Sequence, residues 1–281
     1  MKLEAYAKLN LTLEVLGVRP DGYHSIRSVL LPVSLSDTIE LKPFHTITSD
    51  VPFADDLCIK VARDLAERAA WEGRGIALKG VQIHVEKRIP VGGGLGGGSA
   101  DAAAVLVGLN ELWQCGYTRE QLAQTGAAAG SDVPALVMGG AVLMEGRGEI
   151  VTKIESPKTI NFVLLSPQIG CSTKKIYERS RFRLTNDPKI VYNVRQSLVE
   201  GDWKMVEAAL VNDLQEPAIE VVPEVGAALD VLKAAGIERP QMSGSGSTVF
   251  GLVPDEARGR EIAAFLTAQG LRAWAVHSIV P

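Results

Sequence analysis

The stretch VGGGLGGGSADAAAV, residues 91–105, has glycine at six of seven consecutive positions and then continues as an alanine-rich segment. The alternating segment VQIHVEKRIP, residues 81–90, precedes it and predicts a strand, whereas residues 102–113 have the composition of a helix. Glycine lets the backbone approach a ligand closely, and a helix start carries a partial positive charge. A strand, a glycine loop and a helix beginning near Ser99 therefore predict a phosphate site.

Two common phosphate-binding motifs fit this loop poorly. Gly92, Gly94 and Gly97 have the GxGxxG spacing of dinucleotide-binding proteins, but residues 118–129 predict a second helix where that fold needs a strand. A P-loop would end in Lys-Ser or Lys-Thr, and here Ser99 follows a glycine. A flexible loop or tight helix–strand packing is the structural alternative, although the entropy lost in ordering so many glycines favours a ligand.

The composition is that of a globular protein without a broad attraction for polyanions. Of 281 residues, 46% are hydrophobic and the formal net charge is −4, so we expect no nucleic acid or membrane partner. The three cysteines lack CxxC spacing, and no group of side chains has the spacing of a metal site. The odd cysteine number and the lack of a visible targeting segment predict a cytoplasmic protein.

The rest of the chain predicts a mixture of helices and strands. Residues 5–15 alternate between polar and apolar side chains, which predicts a strand, and RPDGY at residues 19–23 predicts a tight turn. The second half groups its helices and strands, so we predict an α+β fold. The polar segment IESPKTIN, residues 154–161, predicts a link between two halves. Further helices are predicted near residues 56–71, 118–129, 191–214, 223–235 and 255–269. Further strands are predicted through residues 39–41, over residues 161–168, on each side of a bend at residues 243–247, and at the end of the chain up to residue 280.

Polar residues on the first strand and before one helix could carry chemistry. Lys8 and Asn10 share the polar face of that strand, which is either solvated or, for a lysine among apolar neighbours, directed into a cleft. Asp132 precedes an apolar helix and fits a helix cap, with Pro134 in the first turn. Combined with a phosphate site, the lysine and the carboxylate would give phosphoryl transfer a cation and a base.

Two other segments are candidates for ligand contacts. Tyr23 and His24 could stack on and hydrogen-bond a heteroaromatic group, or form an ordinary strand edge. The segment MSGSGSTVFG, residues 242–251, lacks the GxSxG spacing of a nucleophile elbow and could either close a phosphate site or form a hairpin turn. The isolated histidines are interpreted as structural: His45, His84 and His277.

Four segments together resemble the GHMP kinases, the family of galactokinase, homoserine kinase, mevalonate kinase and phosphomevalonate kinase. PVGGGLGGGSADAAA resembles the ATP loop of that family, and the other segments are AKLNLTLEVLGVRPDGYH, GSDVPALVMGGA and MSGSGSTVFG. The likeness covers nearly the whole chain in the right order. It implies a ribosomal-S5-like ATP-binding domain at residues 1–155, a ferredoxin-like C-terminal domain at residues 156–281, and an active-site cleft between the domains.

The resemblance also implies an activity. AKLNL followed by DGYH is similar to the branch that phosphorylates the 2-hydroxyl of a cytidine diphosphate ester of methylerythritol, in the non-mevalonate route to isoprenoid precursors. ATP would be the phosphate donor, and Mg²⁺ would arrive with the nucleotide. Lys8 and Asp132 would be the catalytic pair, with Asp132 as the base and Lys8 positioning the hydroxyl. A family kinase acting on homoserine or mevalonate is the alternative.

The same resemblance assigns binding residues. Asn10 would contact the methylerythritol, and Tyr23 and His24 would hold the cytosine, with Tyr177 on the other side of the base and Thr173 nearby. Relatives commonly have a second serine where this chain has Ala100, so a contact from that hydroxyl is absent. The residues expected to contact ATP are Pro90, Val91, Gly92, Gly93, Gly94, Leu95, Gly96, Gly97, Gly98, Ser99 and Ala100. We expect only small-molecule partners and a monomer or weak homodimer.

Overall fold

The computed structural model describes residues 1–52, 56–74, 80–156, 158–180 and 188–280. The chain divides into two compact units, each built from separate stretches of sequence. The first unit comprises Met1–Ala7, Leu35–Ile89 and Gly96–Gly139, and the second comprises Lys8–Ser34, Pro90–Leu95 and Gly140–Pro281. The domain boundary at residue 155 stays a prediction, and Pro157 of the expected link lies outside the described residues.

Helices and strands occur in groups along the chain, which confirms the α+β prediction. The strands are β1 (Lys2–Asn10), β2 (Thr12–Val18), β3 (His24–Pro43), β4 (Thr48–Ser49), β5 (Val81–Glu86), β6 (Val142–Gly146), β7 (Ile150–Lys153), β8 (Asn161–Ser166), β9 (Val211–Asn212), β10 (Gln241–Met242), β11 (Val249–Val253) and β12 (Arg272–His277). The helices are α1 (Leu57–Trp71), α2 (Gly97–Leu112), α3 (Arg119–Gly126), α4 (Val133–Met138), α5 (Thr173–Arg179), α6 (Pro188–Glu200), α7 (Trp203–Ala208), α8 (Gln215–Val221), α9 (Pro223–Ala234) and α10 (Glu256–Ala268).

In the first unit, helices cover one face of a sheet. The last part of β3 pairs antiparallel with β5, and β4 pairs parallel with β5. Helix α2 contacts this sheet at Gly108, where Leu3 and Leu41 lie directly against the helix backbone. Helices α1 and α4 pack against α2 in turn. This packing fixes the start of α2, which carries the second part of the glycine loop.

In the second unit, a four-stranded antiparallel sheet has the order β10-β11-β8-β12. Along the chain, helices separate β8 from β10 and β11 from β12, which is the ferredoxin-like arrangement that we expected. Helices α9 and α10 pack on the sheet and bury apolar residues that include Val163, Leu165, Leu229, Ile262 and Leu266. No helix in the described ranges has the length and apolar character needed to cross a bilayer.

The single strand predicted over residues 5–15 is two strands that meet at Leu11. The Thr12 hydroxyl accepts a hydrogen bond from the Val29 amide at 2.9 Å, and the Ser28 hydroxyl donates to the Thr12 carbonyl at 2.5 Å. These side chains replace the regular ladder bonds, so the strand is interrupted. The pattern of the sequence also did not predict α5, α8 or the hairpin of β6 and β7.

Candidate active site

The polar face of β1 and β2 is buried. Lys8, Asn10, Thr12 and Glu14 are 3%, 3%, 0% and 0% exposed, so the interpretation as a solvated face is wrong. Buried polar groups are costly unless they have partners. The Glu14 carboxylate accepts two hydrogen bonds from the Arg27 guanidinium, both at 2.9 Å. The polar face of β1 and β2 is therefore a buried part of the interior in which polar side chains have hydrogen-bond partners.

Asn10 fixes the position of the Lys8 ammonium. Lys8 Nζ donates to Asn10 Oδ1 at 2.5 Å, and Asn10 Nδ2 donates to Ser28 Oγ at 2.8 Å. Because one end of the amide accepts and the other donates, its orientation is determined by these two partners. A cation in a defined position on a buried face is suited to orienting a reacting hydroxyl.

The glycine-serine segment at residues 243–247 forms the turn between β10 and β11, which agrees with the hairpin interpretation. This turn also lies against Lys8. A Cβ added at Gly244 would be 2.8 Å from Lys8 Nζ and 3.3 Å from Asn10 Oδ1, so a side chain there would displace the ammonium. Asn212 Nδ2 donates to the carbonyls of Met242 and Gly244, both at 2.8 Å, and thereby holds the turn in place.

Residues 92–95 of the glycine loop are held through their carbonyl groups. The bonds run from Cys171 N to Gly92 O (3.3 Å), from Thr248 N to Gly93 O (3.0 Å), from Ser243 Oγ to Gly94 O (3.1 Å) and from Lys8 N to Leu95 O (3.0 Å). Gly94 has φ +74°, and a Cβ added there would overlap the Ser243 carbonyl oxygen. Close packing of backbone, the structural alternative, accounts for this part of the loop.

Residues 96–100 have a different environment. Gly96 is the N-cap of α2 in the left-handed conformation, so the helix begins at Gly97, two residues before the predicted start near Ser99. Gly98 is exposed and Ser99 is half-buried, whereas Ala100 is buried. The Ala100 side chain, at the position where relatives commonly have a second serine, therefore faces the interior. An exposed glycine in the first turn of a 16-residue helix is suited to binding a phosphate.

An open cleft of about 800 Å³ lies beside α1 in the first unit. Leu57 links it to the start of α2, because its Cδ1 is 4.0 Å from the Cβ position of Gly98 and 3.8 Å from that of Gly130. Clefts of this size hold ligands as large as a nucleoside. The sequence pattern did not predict the cleft, although the capping residue Asp56 marks its edge.

A buried charge cluster supports the start of α2, and the sequence pattern did not predict it either. Lys87 Nζ donates to Asp37 Oδ2 at 2.5 Å and to Asp101 Oδ2 at 2.7 Å. Burial raises the pKa of Asp101 to about 7, against the opposing effect of Lys87. Burial alone would lower the pKa of Lys87, but the two carboxylates raise it above its ordinary value. Lys87, which directly follows β5, is thus bonded to Asp37 in β3 and to Asp101 in α2.

Asp132 lies at the N-cap position of α4, with Pro134 in the first turn as expected. Its side chain makes no capping hydrogen bond to this helix, so the interpretation of Asp132 as a helix cap is wrong in its chemistry. The carboxylate is half-buried in the first unit, whereas Lys8 belongs to the second unit. Their action as a catalytic pair stays a prediction.

His24 and Tyr177 lie together, with stacked rings whose centroids are 4.6 Å apart. Burial lowers the pKa of His24, so its imidazole is neutral at pH 7 and has one donor and one acceptor nitrogen. No base fits between two rings in direct contact. Tyr23, the residue before His24, is 54% exposed. The hydroxyl of Thr173 is 2.8 Å from that of Ser245, so Thr173 contacts the glycine-serine turn.

The chain matches the models of two protein-family domains. "GHMP kinases N terminal domain" matches residues 56–140, and "GHMP kinases C terminal" matches residues 194–271. A curated relative from Geobacillus kaustophilus strain HTA426, a 4-diphosphocytidyl-2-C-methyl-D-erythritol kinase, is 39% identical over 269 residues, which are 93% of this chain and 91% of the relative.

Solved structures show the same similarity. A crystal structure of 4-(cytidine 5'-diphospho)-2C-methyl-D-erythritol kinase matches with a TM-score of 0.82 and 31% identity over 99% of both chains. A homoserine kinase from Cytophaga hutchinsonii matches with a TM-score of 0.74 over 100% of this chain and 94% of the other. At 16% identity, that likeness concerns the fold alone.

Proposed function

The chain belongs to the GHMP kinase family, and within it we propose that this protein transfers the γ-phosphoryl group of ATP to the 2-hydroxyl of 4-diphosphocytidyl-2-C-methyl-D-erythritol. One observation carries the choice of acceptor: a relative named for this acceptor is 39% identical across 93% of the chain. The fold shared with homoserine kinase at 16% identity gives no comparable support for the alternative acceptor.

The start of α2 and the cleft beside it are the proposed ATP site. Exposed Gly98 and half-buried Ser99 would place backbone amides and a hydroxyl next to the phosphates at the positive end of the helix. The cleft reached through Leu57 has the volume to take the nucleoside. Mg²⁺ bound with the nucleotide would neutralise part of the phosphate charge.

The second unit supplies the proposed acceptor site. The base would stack on the exposed ring of Tyr23, and the neutral imidazole of His24 would hydrogen-bond its edge, with Tyr177 stacked behind the imidazole. Thr173, whose hydroxyl is 2.8 Å from that of Ser245 in the glycine-serine turn, would lie near the base. Asn10, which orients Lys8, would bind the methylerythritol hydroxyls.

In the proposed reaction, the acceptor hydroxyl attacks the γ-phosphorus of ATP and ADP leaves. The Asp132 carboxylate, at the N-cap position of α4, takes the proton of that hydroxyl. The Lys8 ammonium, held by Asn10, orients the hydroxyl and stabilises the negative charge that develops.

The test is ATP consumption measured against a panel of acceptors that contains 4-diphosphocytidyl-2-C-methyl-D-erythritol, homoserine and mevalonate. We expect turnover with the first acceptor alone. An Asp132→Asn variant should lower kcat at least about 100-fold with little change in the KM for ATP, because general-base catalysis contributes on the order of 10²–10⁴-fold.

Asp255→Asn is the matched control, because Asp255 is the N-cap of α10 and does accept a capping bond from Arg258. That variant should keep normal turnover. Activity on homoserine or mevalonate alone would overturn the proposed acceptor. Normal kcat in Asp132→Asn would remove Asp132 from the mechanism and leave the choice of acceptor unaffected.

A further inference from the structure

The turn between β6 and β7 places a cation on the ring of Tyr23. The guanidinium carbon of Arg147 lies 5.3 Å from the centroid of that ring. Arginine over an aromatic face within about 6 Å is a favourable cation–π contact. Arg147 is half-buried although Tyr23 is 54% exposed, so the arginine lies between the ring and its own turn. One face of Tyr23 is thus covered by protein.

The turn that carries Arg147 is itself held in place. The Glu149 carboxylate accepts a hydrogen bond from the Arg147 amide at 2.6 Å and lies directly against Gly146. Glu149 Oε1 is also 4.0 Å from Arg19 Nη1. Arg19 in turn bonds Asp21, whose Oδ1 accepts from the amide of Tyr23 at 3.0 Å. The turn of Arg147 and the turn of Tyr23 are therefore connected by charge pairs at their bases.

A surface tyrosine must lose rotational freedom before a base can stack on it. Fixing such a side chain costs free energy, and a ring already held on one face has lost part of that freedom before the ligand binds. The covered face is unavailable to a base, so the ligand must use the opposite face. Both effects follow from one contact, that of Arg147 with Tyr23.

We propose that Arg147 is a positioning residue for the acceptor base: it covers one face of the Tyr23 ring and holds the other face ready for cytosine. The inference rests on the proposed function, because it needs Tyr23 to be the stacking residue. Arg147 acts through the ring and does not need to touch the phosphates of the acceptor.

The experiment is a double-mutant cycle on the full chain, with cytidine and cytidine diphosphate as probes in calorimetric titrations. Arg147→Ala should weaken both probes by the same factor, about 2- to 5-fold, as expected for a cation–π contact at a surface. In a Tyr23→Ala background the same change should have no measurable effect. Arg147→Lys, which keeps the cation, should restore most of the affinity. In turnover assays Arg147→Ala should raise the KM of the acceptor and leave kcat unchanged.

Arg272→Ala is the matched control, because the Arg272 guanidinium lies 5.2 Å from the Trp274 ring in the same kind of contact on β12. It should leave both affinities unchanged. A larger loss for cytidine diphosphate than for cytidine would show a phosphate contact and overturn the proposal, as would equal losses in both backgrounds. If Tyr23→Ala alone leaves cytidine binding intact, the base site itself is elsewhere, which is a failure of the proposed function.

Discussion

Residues 92–95 and residues 96–100 belong to one glycine-rich run, yet they meet different surroundings. The first group accepts hydrogen bonds from other segments through its carbonyls, including bonds from the 243–248 turn, and a Cβ at Gly94 would overlap the Ser243 carbonyl oxygen, so the packing requires glycine there. The second group begins a helix, and Gly98 in it is exposed, with Leu57 Cδ1 4.0 Å from the position that a Cβ would take. The same density of glycine therefore accompanies close packing in one half and, in the other half, an exposed helix start that we propose as the phosphate site.

The two halves also lie beside different lysines. Lys8 lies next to the first half through its amide and donates to a neutral amide oxygen of Asn10. Lys87 lies under the second half, with Nζ 3.3 Å from the Cβ position of Gly97, and donates to two carboxylates. The charge of Lys87 is balanced by Asp37 and Asp101, which suits a structural role.

Gly94→Ala should disrupt the packing of residues 92–95 and have the largest effect on stability. The variant needs a left-handed alanine and also overlaps the Ser243 carbonyl, so we expect a loss of about 3 kcal/mol or more in the free energy of unfolding. Urea unfolding measures it. Gly270→Ala is the matched control, since Gly270 has φ +79° and a Cβ there would meet none of the described residues beyond its chain neighbours within 4 Å, so the variant should cost only about 1 kcal/mol. Equal costs at the two positions would show that the 243–248 turn does not require Gly94.

Asp101→Asn tests the support beneath residues 96–100, because it removes the ionisable group that lies under the start of α2. The pKa of Asp101 is raised to about 7 in the folded chain, so between pH 4 and pH 7 the folded state binds more protons than the unfolded state. The contribution of Asp101 to the free energy of unfolding therefore falls as the pH rises through this window. The variant should remove this contribution and change the slope of stability against pH by up to about 1 kcal/mol per pH unit.

Thermal and urea unfolding from pH 4 to pH 7.5 follow this slope. The asparagine can still accept a hydrogen bond from Lys87, so the cluster keeps its geometry. Asp230→Asn on α9, where the side chain is 77% exposed, is the control and should leave the slope unchanged. The same slope in Asp101→Asn and in the unmodified chain would mean that Asp101 is charged throughout this range.

Local signals in the sequence predicted much of the fold. Alternation predicted β5, and the helices predicted near residues 56–71, 118–129 and 255–269 correspond to α1, α3 and α10, whose N-caps are Asp56, Thr118 and Asp255. These features depend on neighbouring residues alone. The interruption at Leu11 could not be predicted in this way, because the groups that cause it, Ser28 and Thr12, meet only after β2 and β3 pair.

The candidate site shows the same division. The residue types of Lys8, Asn10 and Asp132 identify candidates, but an alternating strand cannot show that its polar face is buried. The Lys87 cluster joins positions 37, 87 and 101, and its partners become neighbours only in the folded unit. The same is true of Arg147 and Tyr23. Contacts between distant segments carry this information, and no spacing along the chain encodes them.

Gly98→Ala should have the smallest effect on stability, and it distinguishes a glycine needed for packing from one needed for ligand access. Alanine in a helix is favoured over glycine by about 0.5–1 kcal/mol, and the nearest protein atom leaves room for the methyl group, so the variant should unfold at the same or a slightly higher urea concentration. The KM for ATP should nevertheless rise at least about 5-fold, because the methyl group would weaken phosphate hydrogen bonds worth about 1 kcal/mol each. Initial rates at varied ATP concentration measure it. An unchanged KM would mean that the second half, like the first, is glycine-rich for packing.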